Sequence, residues 1–121
     1  MTKKILTVDD SRTMRDMLML ALSDAGYEVV QAEDGIDGLE TLEREGADVV
    51  ITDINMPRLD GFGFIEGVRA NPAHRGLPVL VLTTESSAEK KARAKEAGAT
   101  GWIVKPFDPV KLVDVVRRVS G

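Results

Sequence analysis

The chain contains no cysteine, one tryptophan, one tyrosine and one histidine, and each scarcity removes a class of chemistry. Without cysteine there is no disulfide framework and no thiolate metal site, and a reducing compartment is compatible. The lone histidine, His74, lies in Asn71-Pro72-Ala73-His74, which reads as a surface loop. Long apolar runs are absent too: Met1-Thr2-Lys3-Lys4 leads into a run too short for a secretory signal or a membrane span. Nor is there an excess of positive charge. The 16 Lys+Arg against 20 Asp+Glu leave a net charge of −4, which argues against a nucleic-acid binder. Repeats, linkers and low-complexity stretches are missing. What remains is an acidic single domain of 121 residues, long enough for one core and without room for a second module. It is expected to be a cytoplasmic monomer with no nucleic-acid or membrane partner.

What the chain does have is five short apolar runs, four of which end on a chemically loaded residue. Ile5-Leu6-Thr7-Val8 runs into Asp9-Asp10, Asp48-Val49-Val50-Ile51-Thr52 into Asp53, Val79-Leu80-Val81-Leu82 into Thr83, and Trp102-Ile103-Val104 into Lys105-Pro106. The fifth, Glu28-Val29-Val30-Gln31, ends without a reactive group and is polar enough to suit a sheet edge. Amphipathic segments separate the runs, so the pattern is five βα units around a parallel sheet. In such a sheet the side chains at the carboxyl ends of neighbouring strands share one crevice. Three carboxylates, a hydroxyl and an ammonium are therefore expected in one pocket.

The intervening helices are expected near residues 12–25, 35–45, 62–70, 87–97 and from Pro109 onward. In the first, Met14, Met17, Leu18, Ala21 and Leu22 form one core-facing stripe, and Gly26 is placed to end it. The fourth is the weakest. Ser86 and Glu89 suggest a capping box, yet its apolar residues are only Ala88, Ala92, Ala94 and Ala97, which bury little area. Its outer side carries Lys90, Lys91, Arg93 and Lys95, either a solvated face or a docking surface for an acidic partner.

Asp9, Asp10 and Asp53 supply the hard oxygen ligands that Mg²⁺ prefers. Without a cation they would repel one another and raise their own pKa values; Mg²⁺ and Lys105 together would neutralise them. A carboxylate beside a metal and a lysine can attack phosphorus and form an aspartyl phosphate, and Asp53, followed by the loop Ile54-Asn55-Met56-Pro57, is the candidate. Lys105 and Thr83 are placed to bind phosphoryl oxygens. No histidine or glutamate ends a strand to act as general base, which favours a phosphorylatable switch over an efficient hydrolase.

Asp9-Asp10, Asp53, Thr83 and Lys105-Pro106 at these spacings, with Met56-Pro57 and Asp60-Gly61, resemble the receiver domain of two-component response regulators. The resemblance runs from Lys3 to the end of the chain. It implies an α/β, flavodoxin-like (βα)5 three-layer sandwich with a five-stranded parallel sheet of order 2-1-3-4-5. It also implies one response regulatory domain over residues 1–121 with no output domain. By the same resemblance Asp53 is the phosphoacceptor, taking its phosphoryl group from a phosphohistidine on a sensor histidine kinase. Asp9, Asp10, Asp53 and the backbone carbonyl of Asn55 then hold Mg²⁺, Thr83 and Lys105 bind the phosphoryl group, and the Lys105-Pro106 peptide is cis. Such a protein is not an enzyme beyond promoting its own phosphotransfer and autodephosphorylation.

Within the family the chain resembles stand-alone chemotaxis receivers, in which Asn55 and Glu85 match a usual pair. That implies a chemotaxis-type kinase and a flagellar motor switch protein as partners, with Thr83 and Trp102 as switch residues. The partner surface would comprise Lys90, Lys91, Arg93, Lys95 and Trp102. Trp102 departs from the usual tyrosine, and an indole lacks a phenol's acceptor role. A phosphate sink or phosphorelay shuttle would use the same site. A phosphohydrolase would want Asp at position 55, and a flavin-nucleotide binder would want a Gly/Ser/Thr-rich loop in place of Asp9-Asp10.

Overall fold

The computed structural model describes residues 2–121. Strands β1 (Lys4–Val8), β2 (Glu28–Ala32), β3 (Val49–Thr52), β4 (Val79–Thr83) and β5 (Gly101–Val104) alternate with helices α1 (Arg12–Asp24), α2 (Gly35–Glu45), α3 (Gly61–Ala70), α4 (Ala88–Ala97) and α5 (Pro109–Val119). A 3₁₀ turn, Pro72–His74, follows α3. All strand pairings are parallel and the order is β2-β1-β3-β4-β5, the flavodoxin-like arrangement. Among the described residues no helix is long and apolar enough to cross a membrane.

Side-chain alternation along the strands divides the interior into two layers. Leu6, Val8, Val50, Val79 and Val81 point to the layer of Phe64, Ile65 and Val68 on α3, with Leu42 and Ala94. Ile5, Val49, Ile51, Leu80 and Leu82 point to the opposite layer, with Leu18 and Leu22 of α1 and Leu112 and Val116 of α5. The three inner strands are covered on both faces, hence their apolar composition. The polar strand β2 is an edge, as its sequence suggests.

Two local expectations are corrected. Met17 is 47% exposed and lies on the rim of α1, one residue and about 100° round the helix from the buried Leu18. Helix α4 is capped by Ser87 rather than Ser86: the Ser87 hydroxyl accepts from the Lys90 N–H at 3.2 Å. Between β4 and this cap the chain bends at Thr84, where Thr83 Oγ1 accepts from the Glu85 N–H and closes a local turn, and the helix begins only at Ala88. The alanine face of α4 does bury little, with only Ala94 fully enclosed.

The loop after β3 is bolted to the start of α2. Asp34 caps α2 by accepting from the Asp37 N–H at 2.8 Å, and the same buried carboxylate takes Arg58 Nε at 2.8 Å and Nη2 at 3.0 Å. Arg58 holds the left-handed backbone (φ 66°) that normally favours glycine or asparagine. Gly35 N–H donates to the Leu59 carbonyl at 3.1 Å, and a Cβ at Gly35 would lie 2.5 Å from that oxygen. The Arg58 hydrogen bond holds the Asp34 carboxyl below the ordinary carboxylate range. A lowered folded pKa means this stabilisation is present above the unfolded pKa, about 3.9, and is lost as pH falls through the lower folded value. Asp34→Ala should cost about 1–2 kcal/mol, the usual worth of an N-cap. In urea titrations Arg58→Gly should lower the midpoint less than Arg58→Ala, because glycine accepts the φ 66° backbone and alanine does not.

Candidate functional site

Register brings the charged residues together. Val8 pairs with Thr52 and the Asp53 N–H donates to the Val8 carbonyl at 2.9 Å, so Asp9 and Asp53 leave adjacent strands side by side. Thr83 pairs with Val104, and the Lys105 N–H donates to the Thr83 carbonyl at 2.8 Å. From there Lys105 reaches across the strand ends: its Nζ lies 2.9 Å from Asp9 Oδ2 and 2.8 Å from Asp53 Oδ2. The Lys105-Pro106 peptide is cis. Asp9 is 2% and Asp53 9% exposed, whereas Asp10 faces solvent at the rim.

The remaining oxygens of the two inner carboxylates are also directed. Asp9 Oδ1 accepts from the Ser11 N–H at 2.9 Å and Asp53 Oδ1 from the Ile54 N–H at 2.6 Å. Burial pushes the Asp9 carboxyl above its ordinary value, opposed by Lys105 and the Ser11 N–H. A raised carboxyl favours folding while protonated, a contribution lost as pH rises through the raised value, so ionised Asp9 is a cost near neutrality. Burial works against the Lys105 ammonium as well, but hydrogen bonds to Asp53 and Asp9 outweigh it and the net direction is upward. Lys105 is thus firmly charged and balances only part of the site.

The donor set suits a divalent cation. Asp9, Asp10 and Asp53 each offer a carboxylate oxygen, all within 4.8 Å of one another. Each inner carboxylate oxygen carries one donor in this structure and keeps a second lone pair. Hard oxygens, one of them on the solvent-exposed Asp10, match Mg²⁺ and similar ions.

Thr83 is fully buried, and its hydroxyl faces the loop beyond β4, accepting from the Glu85 N–H at 3.3 Å. Glu85, singled out in the sequence together with Asn55, is a junction whose links to Trp102 and Lys90 the sequence did not disclose. Its backbone carbonyl accepts from Trp102 Nε1 at 3.2 Å, and its Oε1 takes both Asn55 Nδ2 at 3.2 Å and Lys90 Nζ at 3.0 Å. Lys90, then Asn55, hold the Glu85 carboxyl below its ordinary value. Trp102 therefore uses the donor that a phenol and an indole share. It packs on the α3 side of the sheet and Ile103 on the other, as strand alternation requires.

The basic residues of α4 do not form one free patch. Lys90 is paired with Glu85, and the Arg93 guanidinium lies 4.1 Å over the Phe62 ring. Lys91 and Lys95, with Ala94, Ala99 and Trp102, line a groove of about 330 Å³ between α4 and β5. A residue without a sequence signal is Arg15, whose Nη1 donates to the Asp9 carbonyl at 2.7 Å and whose Nε donates to Gln31. An arginine on an amphipathic helix ordinarily reads as solvated.

Removing Lys105 isolates the metal question. Lys105→Ala should lose about 3 kcal/mol of stability without divalent ions, because two nearly buried carboxylates then face each other uncompensated. Mg²⁺ should raise the melting temperature of wild type and raise that of the variant by more. Equal or absent Mg²⁺ shifts in the two proteins would count against a cation among these aspartates.

A family model for the response regulator receiver domain matches residues 5–117. The chain is 39% identical over 120 residues to chemotaxis protein CheY1 of Helicobacter pylori, covering 98% of this chain and 97% of the relative. Against chemotaxis protein CheY-3 of Vibrio cholerae it is 38% identical over 117 residues, covering 96% and 90%. The crystallised V. cholerae chemotaxis protein CheY4 superposes with a TM-score of 0.94 at 46% identity, covering 98% of this chain and 99% of the other. The receiver domain of the Pseudomonas aeruginosa sensor histidine kinase PA1611, solved with a magnesium ion in its active site cleft, gives 0.92 at 27% identity, covering 100% and 99%. A matched family model over nearly the whole length and these relatives agree with the strand order and the clustered aspartates: the chain belongs to the response regulator receiver domain family, and it is CheY-like.

Proposed function

We propose that this protein is a phosphorylation-controlled interaction protein of chemotaxis, acting in the cytoplasm. Asp53 accepts a phosphoryl group from a phosphohistidine of a chemotaxis-type sensor histidine kinase, and the phosphorylated form binds a flagellar motor switch protein. The observation that carries this reading is Asp53 itself, a carboxylate held by Lys105 at 2.8 Å beside two further aspartates in the crevice of a CheY-like fold. The names of the relatives, chemotaxis proteins CheY1 and CheY-3, support the pathway.

In the transfer, an Asp53 carboxylate oxygen forms a bond to phosphorus while the P–N bond to the histidine breaks, its electron pair staying on the imidazole nitrogen. Asp9, Asp10, Asp53 and the Asn55 main-chain carbonyl would hold Mg²⁺, which when bound supplies charge neutralisation for the phosphoryl oxygens. Lys105 is already directed at the Asp53 oxygen and meets a phosphoryl oxygen as a fixed positive charge. The Thr83 hydroxyl is the side-chain donor that β4 offers; turning toward the phosphoryl group means leaving the Glu85 N–H. No side chain here is an evident general base for rapid turnover, so the chain works as a phosphoacceptor rather than as an enzyme. The groove of Lys91, Lys95 and Trp102 is the proposed partner surface, with Lys90 and Arg93 at its margin.

Incubation with acetyl phosphate and Mg²⁺ should add one phosphoryl mass, at Asp53, in a product labile to base and hydroxylamine. Asp53→Asn should abolish it; phosphorylation of that variant at the wild-type rate would sink the assignment.

Trp102 reports the output. Because its indole N–H is bonded to the loop that Thr83 also holds, phosphorylation should change its emission maximum and its accessibility to a soluble quencher. In Thr83→Ala the phosphoryl group should still be detected by mass while the emission change weakens. Unchanged emission in fully phosphorylated protein would favour a phosphate sink over a motor effector.

A further inference from the structure

Lys90 is the one α4 lysine turned away from the groove and toward the crevice. Its Nζ lies 3.0 Å from Glu85 Oε1, the same oxygen that accepts from Asn55 Nδ2 at 3.2 Å. Glu85 and Asn55 belong to the two loops that flank Asp53, the segments following β4 and β3. The Glu85–Asn55 hydrogen bond therefore joins the two loops, and Lys90 is the cation that lets a carboxylate sit in that bridge. Lys90 is well placed for this: its N–H is taken by the Ser87 cap, so the residue sits in the first turn of α4, at the end nearest the crevice.

Any phosphodonor approaching Asp53 is anionic, and a transferred phosphoryl group brings further negative charge to a site that already holds three aspartates. A bare Glu85 carboxylate at this point would repel the incoming donor. We propose that Lys90 is a positioning residue for phosphoryl transfer, cancelling the charge of Glu85 and holding it with Asn55 so that anionic donors reach Asp53. This rests on Asp53 being the phosphoacceptor. Lys90 touches neither donor nor acceptor and acts through Glu85. With acetyl phosphate the step is attack of an Asp53 carboxylate oxygen on phosphorus, with the bond from phosphorus to the acetyl oxygen breaking and acetate leaving with the electron pair.

The test measures the rate of Asp53 phosphorylation by acetyl phosphate in Mg²⁺, followed by mass. Wild type is run first, so that failure to phosphorylate at all identifies failure of the underlying assignment. Lys90→Ala should phosphorylate roughly two- to fivefold more slowly at low salt, the scale set by solvent-facing ion pairs. Lys90→Arg should restore the rate. The deficit should shrink as ionic strength rises, because the repulsion is screened. Adding Glu85→Gln to Lys90→Ala should recover most of the loss, since the unpaired charge is then gone. A purely helix-stabilising role predicts the opposite pattern: a deficit indifferent to salt, unrepaired by Glu85→Gln and accompanied by loss of α4 helicity. That pattern, or an unaltered rate in Lys90→Ala at low salt, overturns the proposal.

Discussion

The bridge from Lys105 to Asp9 and Asp53 is the interaction on which this site depends. Parallel strands of matched register must deliver their last side chains to one edge, and here two of those side chains are carboxylates with almost no access to water. At an effective dielectric near 20, two such charges about 4 Å apart repel by roughly 4 kcal/mol, a large fraction of the stability of a small domain. An ammonium shared between them converts the repulsion into two short ion pairs, but one positive charge does not balance Asp9, Asp10 and Asp53 together. The fold is left with an anionic residue of charge in a crevice that opens to solvent through Asp10. A hard cation is the natural counter-charge for that imbalance, and the cation and phosphoryl chemistry proposed above draw on it.

Much of this was legible because it depends on strand ends. Asp9, Asp53, Thr83 and Lys105 each follow an apolar run, and a parallel sheet converts that one-dimensional fact into proximity without any knowledge of loop conformation. The polar run of β2 marked it as an edge for the same reason: only strands covered on both faces need to be apolar throughout. The misreadings are local and have local causes. Ser86 and Ser87 are both competent caps by residue type, and the turn that Thr83 closes on the Glu85 N–H just before them is a contact from outside the helix that helical patterning does not register. Met17 fits a loose apolar stripe but lies a full residue step from the centre of the buried face.

The Glu85 junction was visible only in part, through the Asn55–Glu85 pair, and its links to Trp102 and Lys90 had no sequence signal. Its four links use a backbone N–H, a backbone carbonyl and a side-chain oxygen, with partners 2, 5, 17 and 30 positions away. No periodicity marks such a set, and backbone groups carry no sequence signature at all. The expectation for Trp102 shows the same gap. Comparing side-chain inventories, an indole lacks the acceptor of a phenol; in the folded chain the partner is a carbonyl oxygen, so the indole N–H is the group that matters.

Helix α4 joins these observations, because its two ends are held by different means. At its C-terminal end Arg69 donates through Nε and Nη2 to the Gly98 carbonyl and through Nη1 to the His74 carbonyl, a set of bonds made entirely to backbone. Burial lowers the pKa of that guanidinium, yet arginine stays charged, so these bonds persist across any accessible pH. Ala94 is buried near the same end. Toward the crevice the helix is held by the Ser87 cap and the half-exposed Lys90–Glu85 pair, with the stacking of Arg93 on Phe62 at mid-helix, each worth little alone. A rigid rod fixed strongly at one end and weakly at the other moves most at the weak end. That end abuts the loop where Thr83, Asn55 and Trp102 meet, so in the proposed switch a small rearrangement of Glu85 would have a lever in α4 and a readout in the groove of Lys91, Lys95 and Trp102. The low burial of the alanine face is then the condition that keeps the lever free.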